Sequence, residues 1–146
     1  MISQAGSKVG YVQMKLVMQS QQSLDVGKKL MAEFKPRNAE LEKFRKQIQD
    51  KEATLEKDAA NLSQRDLLAK RQEIEYLKID FDRKKNRQHE DFLLRKQEEL
   101  NNFQNNVNSA VTSLGQSEGY DLILYNTGGY IGAKVDVTDR VLKLLK

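Results

Sequence analysis

Apolar residues recur at helical spacing along most of this chain. Leu30, Phe34, Leu41, Phe44, Ile48, Leu55 and Leu62 are separated by 4, 7, 3, 4, 7 and 7 positions. At about 100° per residue they fall within an arc of about 80°. A second series follows: Phe81, Phe92, Phe103 and Leu114 are spaced by 11 residues each, and Leu67, Ile74 and Leu77 share their direction. Eleven residues in three turns is the repeat of a nearly straight helix. Disordered chains do not hold such phase, so the pattern predicts two long amphipathic helices.

Glycine and proline agree. No Gly lies between residues 28 and 114, a run of 87 residues with one Pro, Pro36. The run carries 19 Lys or Arg and 16 Asp or Glu, a mixed charge that suits long solvated helices. A break is expected near Asn61–Ser63. Ser63 reads as an N-cap with Asp66 three positions on, and Asn61 can end the first helix in left-handed backbone. Two seams on one chain can then bury each other in an antiparallel hairpin. A continuous rod, the alternative, would need a second chain.

Both ends of the chain read as strands. Lys8–Met14 and Tyr120–Tyr125 are β-branched and aromatic runs. Asn126-Thr127-Gly128-Gly129 is a turn by composition, and Tyr130–Ala133 can return as a hairpin partner. Asp136-Val137-Thr138-Asp139 caps a last helix, from Val137 to about Leu145, with Val141, Leu142 and Leu145 as its apolar face. The expected fold class is α+β, mostly α: a long antiparallel α-helical hairpin inserted in a small β body. The body takes residues 8–26 and 115–146 and the hairpin arm residues 27–114, with its turn near 61–63. Three short strands and one helix bury too little to close alone. The body is therefore expected to oligomerise, with the arms projecting from it.

Composition removes several chemistries. The chain has no Cys, so no disulfide, thiolate site or Cys nucleophile exists, and its one His, His89, cannot build a multi-histidine metal site. No apolar run reaches the roughly 18–20 residues of a membrane span. A net charge of +4 does not mark a nucleic-acid binder. Gly128-Gly129 with Gly132 lacks the Lys-Ser/Thr ending of a phosphate loop. No catalytic constellation is found, and no enzyme activity, cofactor or metal is expected.

The order strand Lys8–Met14, Phe34-Lys35-Pro36-Arg37 early in the first arm, strand Tyr120–Leu124 and terminal helix Asp136–Lys146 resembles the Skp (OmpH-like) family of periplasmic chaperones. The resemblance covers nearly the whole chain. It implies a jellyfish-like homotrimer with a β-barrel-like body and three α-hairpin tentacles. These enclose a cavity for unfolded outer-membrane β-barrel proteins. Periplasmic placement rests on the same resemblance. The chain shows no basic n-region or apolar h-region of a signal peptide, and Ser3-Gln4-Ala5 has the small residues of a cleavage-site tail. Pro36 and the asparagines Asn101, Asn102, Asn105, Asn106 and Asn108 depart from the family's best-known members. Lipopolysaccharide binding is linked to some members, but no matching residue pattern carries that site over.

Two surfaces could do chaperone work. Opposite its seam, the first helix carries Lys28, Lys35, Lys43, Lys46 and Lys57. These form either a solvated face or an electrostatic lure for acidic clients or an anionic lipid surface. On the second helix Leu68, Tyr76, Ile79 and Leu94 lie 140–220° from the seam, with Arg65 and Arg83 among them. This second stripe either packs on a neighbouring chain or contacts clients. The candidate client-binding set is Leu68, Tyr76, Ile79, Leu94, Arg83, Lys43, Lys46 and Lys57. Arg83-Lys84-Lys85-Asn86-Arg87 is the strongest basic cluster, but Asp80, Asp82, Glu90 and Asp91 flank it, which disfavours nucleic acid. An ATP-independent holdase trimer is the favoured reading. A structural coiled-coil adaptor with a fixed helical partner is the alternative, and it would need a longer, better-phased seam than the short stripe.

Overall fold

The structure is a computed structural model and describes residues 6–125 and 129–145. Ser3–Ala5 and the Asn126–Gly128 part of the expected turn lie outside these residues. The elements run β1 (Val9–Val12), α1 (Met14–Met18), α2 (Gln21–Asp58), a 3-10 turn (Ala59–Asn61), α3 (Gln64–Glu118), β2 (Leu122–Tyr125) and α4 (Thr138–Leu144). Contacts divide the chain into two compact units. One is Met31–Lys96; the other joins the described residues of Met1–Leu30 and Gln97–Lys146.

The Met31–Lys96 unit is an antiparallel helical hairpin. Phe34 meets Phe92 edge-on with ring centroids 5.3 Å apart, and Phe44 meets Phe81 at 5.7 Å. Each such pair adds about 0.5–1.5 kcal/mol beyond its buried area. Ile48 and Ile74 are buried further along. Ion pairs flank the seam at matching heights: Arg37–Asp91 at 2.8 Å, Arg95–Glu33 at 3.0 Å, Lys51–Glu73 at 3.0 Å and Lys78–Glu52 at 2.8 Å. Pairs this exposed are worth only about 0–1 kcal/mol each, so they fix register more than stability. At the bend, Ser63 Oγ accepts the Asp66 N–H at 3.1 Å and caps α3. Asn61 closes a 3-10 turn after α2, and the Leu62 N–H donates to the Ala59 carbonyl at 3.3 Å.

In the other unit β1 and β2 pair in parallel, with Val9 opposite Leu122 and Val12 opposite Tyr125. The strand expected over 8–14 is shorter because the Gln13 carbonyl accepts the Leu16 and Val17 N–H groups and starts α1. That turns Met14 and Val17 into a core with Val12, Val107, Val137 and Val141. Gly10 lies on the inner face. A Cβ there would come within 3.1 Å of the Tyr120 ring and 3.3 Å of Val137. α3 ends at Gly119, whose φ of +69° reverses the chain into β2.

The hairpin return expected at Tyr130–Ala133 does not form. The free edge of β1 is taken instead by residues 135–137. The Tyr11 N–H donates to the Val135 carbonyl at 2.6 Å, and the Val137 N–H donates to the Tyr11 carbonyl at 2.8 Å. Both hydrogen-bonding groups of Tyr11 on that edge are thereby satisfied, while Tyr130 stays exposed. The next turn of chain holds α4 in place. The Asp136 carboxylate accepts the Thr138 N–H at 3.0 Å, the Thr138 hydroxyl and the Gln13 side-chain amide. Thr138 Oγ1 in turn accepts the Gln13 N–H at 2.8 Å.

This network has a pH signature. Burial pushes the Asp136 carboxyl up, but the hydrogen bonds from Thr138 and Gln13 outweigh it and hold the group below its ordinary value. A carboxylate lowered on folding stabilises the protein above its ordinary titration near 3.8 and loses that contribution as pH falls through the folded value. Asp136→Asn is therefore expected to flatten the acid limb of stability. Urea midpoints measured from neutral to acid pH should converge for parent and variant at the acid end. Parallel curves over the whole range would refute this assignment.

Candidate client-binding surface

The hairpin leaves a set of apolar side chains outside its seam. On α3, Leu68 is 58% exposed, Tyr76 72%, Ile79 53% and Leu94 66%. The seam explains why: Phe81, Ile74 and Leu77 turn inward toward α2, and residues half a helical turn away face solvent. Arg65 and Arg83 are exposed on the same side. Leu93 is exposed too. It stands 25 residues after Leu68, about 20° from it around the axis, and it extends the stripe past what the periodicity first suggested. On α2, Lys43, Lys46 and Lys57 are all exposed.

The basic cluster is partly absorbed by the hairpin. Lys84 lies 3.6 Å from Asp80 and 5.0 Å from the centre of the Phe44 ring. Arg83, Lys85 and Arg87 are exposed. Near the bend, the Lys51 ammonium holds the Glu73 carboxyl below its usual range through a hydrogen bond and its charge, and Glu52 raises Lys78 in the same way. His89 is exposed. Among the described residues, no three His, Cys, Asp or Glu side chains cluster as a metal site would require, and no helix is long and apolar enough to cross a membrane.

One polar pair sits where the pattern showed a gap. Gln88 falls on the inward side of α3 between Phe81 and Phe92 and is 9% exposed. Its amide N–H donates to the Asn38 side-chain oxygen on α2, which satisfies a group whose burial would otherwise cost about 1–3 kcal/mol. The seam's direction could have located Gln88. Its partner on the other helix depends on the register of the hairpin.

The arrangement provides many weak contacts: dispersed apolar side chains, arginines among them and a lysine face. Such a surface can hold a chain without specifying its sequence.

The family described as Outer membrane protein (OmpH-like) matches residues 8–145. The chain is 29% identical over 145 residues to a Chaperone protein Skp of Pectobacterium atrosepticum, an alignment covering 98% of this chain and 88% of that protein. It is 26% identical over 146 residues to a Chaperone protein Skp of Photorhabdus luminescens, covering 99% and 88%. A solved OmpH-like structure from Caulobacter crescentus CB15 superposes with a TM-score of 0.84 at 17% identity, covering 98% of this chain and 86% of that one. At that identity the likeness establishes the fold.

Proposed function

The chain belongs to the OmpH-like family, and from that premise we propose that it is an ATP-independent holdase chaperone of the periplasm. It binds unfolded outer-membrane β-barrel proteins in a cavity between helical arms and keeps them from aggregating. Similarity to relatives named as chaperones supports the reading. The observation that carries it is the solvent-facing stripe of Leu68, Tyr76, Ile79 and Leu94 beside Arg83. A hairpin whose seam is already filled by Phe34, Phe44, Phe81 and Phe92 has no internal use for it.

The working form in this reading is a homotrimer. Residues 8–26 and 115–146 serve as its oligomerisation body and residues 27–114 as its arm. Val9, Leu122 and Leu124 support assembly, since all three are exposed on the outward side of the two-stranded sheet. An apolar sheet face of this kind is ordinarily covered by another chain. Lys43, Lys46 and Lys57 act at longer range, drawing in acidic clients or an anionic lipid surface.

The test is light scattering by an unfolded outer-membrane β-barrel diluted from urea, with no nucleotide present. Suppression of scattering by the parent chain is expected. Lys43→Gln, Lys46→Gln and Lys57→Gln together should slow capture by roughly tenfold at low salt and lose that deficit near 0.5 M salt, because long-range charge acts on encounter and is screened. Aggregation undiminished by the parent would refute the holdase reading. Capture by the variant at the parent's rate would remove the lysine face from it.

A further inference from the structure

The stripe does not account for an open groove of about 890 Å³ between α2 and α3 beside Pro36, and of the lysines read as the outer face of α2 only Lys35 lines it. Its volume is that of a site for a compact ligand or a few residues of peptide. Phe34, Leu41 and Phe92 supply apolar wall, and Met31, 69% exposed, stands at the rim. Methionine is flexible and polarisable and suits a surface that must accept different side chains.

The charge of the groove is one-sided. Lys35 enters from α2 and Lys85 from α3, with His89 beside them, and no Asp or Glu is among the lining residues. Arg37 beside the groove is matched with Asp91, and Lys51 nearer the bend with Glu73. Lys35 and Lys85 face the groove without a carboxylate in its wall, and two such cations present a site complementary to an anion.

The polar lining favours a peptide over an acyl chain. Asn38, Asn86 and Gln88 contribute amides. The bond from Gln88 to Asn38 uses one donor and one acceptor, and a primary amide has two donors and two acceptor lone pairs. Ala32, a residue of the groove wall, loses the helical donor to its carbonyl because Pro36, four positions on inside α2, has no N–H. Amides and a carbonyl without its helical donor match the N–H and C=O groups of an extended chain. A hydrocarbon tail would leave them unsatisfied.

We propose that this groove is an anchoring site for unfolded polypeptide, taking an apolar side chain flanked by Asp or Glu, around which the exposed stripe holds the rest of the client. The proposal rests on the holdase reading. Its test separates the two, because peptide binding and suppression of client aggregation are measured side by side.

Fluorescence anisotropy would follow a short labelled peptide with Phe between Asp residues, and a matched peptide with Lys in place of Asp, on the parent chain and on Lys35→Glu/Lys85→Glu. Both lysines are exposed, so the variant keeps the fold, and circular dichroism verifies it. The parent is expected to bind the acidic peptide about tenfold tighter than the basic one, a preference that the variant reverses. Met31→Ser should weaken both peptides by several-fold. If the parent suppresses aggregation yet parent and variant show the same peptide preference, the groove is not the anchor and the holdase reading stands. If the parent neither suppresses aggregation nor binds peptide, both fall. If phosphatidylglycerol vesicles bind with dependence on Lys35 and Lys85 while the acidic peptide does not, the groove is a lipid headgroup site and the proposal is overturned.

Discussion

Val107→Asp is expected to unfold the unit that contains the strands. Val107 is fully buried on α3, in one cluster with Val12 of β1, Val17 of α1 and Val141 of α4. The start of the chain, the late part of α3 and α4 near the end thus share one core. A lone carboxylate there has no basic partner among the core residues. It must either be buried charged or be protonated, and substitutions of this kind cost more than about 4 kcal/mol. Val107→Ala, which only removes two methyl groups, should cost about 2 kcal/mol and leave a folded protein. Chemical denaturation gives both numbers, and hydrogen exchange at the β1 amides shows whether the strand pairing has gone. A folded Asp variant within about 1 kcal/mol of the parent would mean that this core does not exist as described.

The second large effect is on clients. Changing Tyr76, Ile79 and Leu94 together to Ser should leave melting temperature and assembly unchanged, because all three are more than half exposed. Client holding should weaken by about 2 kcal/mol, or roughly thirtyfold in affinity, if the three side chains lose partial burial against a client. Titration of a labelled unfolded β-barrel at equal oligomer concentration measures this. Unchanged affinity would show that the stripe is not the client surface. Dissociation of the variant would assign the stripe to packing between chains.

The hairpin was legible because its information is local. Phe34, Phe44, Phe81 and Phe92 repeat with helical phase, and Phe44 lies 18 residues before Leu62 as Phe81 lies 18 after Ser63, so an antiparallel bend there sets the two rings at one height, as observed. The β unit was harder to read. β1 and β2 pair across 113 positions, from Val9 to Leu122, and no local pattern distinguishes a parallel partner from the hairpin partner expected at Tyr130–Ala133. The edge of β1 went to residues 135–137, a segment without strand-like alternation, because Tyr11 needed two backbone partners and Asp136 tied the following turn to Gln13 and Thr138.

The seam of α3 also changes company along its length. Phe103, Val107 and Leu114 pack with Val12 and Val17, in one core with the inner face of the sheet. A signal for that change was present. Residues 100–117 contain no Asp, Glu, Lys or Arg, although charged residues are 32% of the chain. The exposed stripe was readable as apolar residues out of phase with the seam. The groove was not, since it depends on Met31, Lys35 and Lys85, which look like ordinary exterior residues until the register of α2 against α3 brings them around Phe34 and Phe92.

The central claim, an oligomeric holdase, is tested most directly by solution mass with and without a client. Size-exclusion chromatography with multi-angle light scattering should give about 50 kDa for the chain alone, three copies of 16.8 kDa. Addition of a urea-unfolded outer-membrane β-barrel should give one soluble species heavier by a single client, without nucleotide. A folded monomer near 16.8 kDa from which the client precipitates would contradict the account.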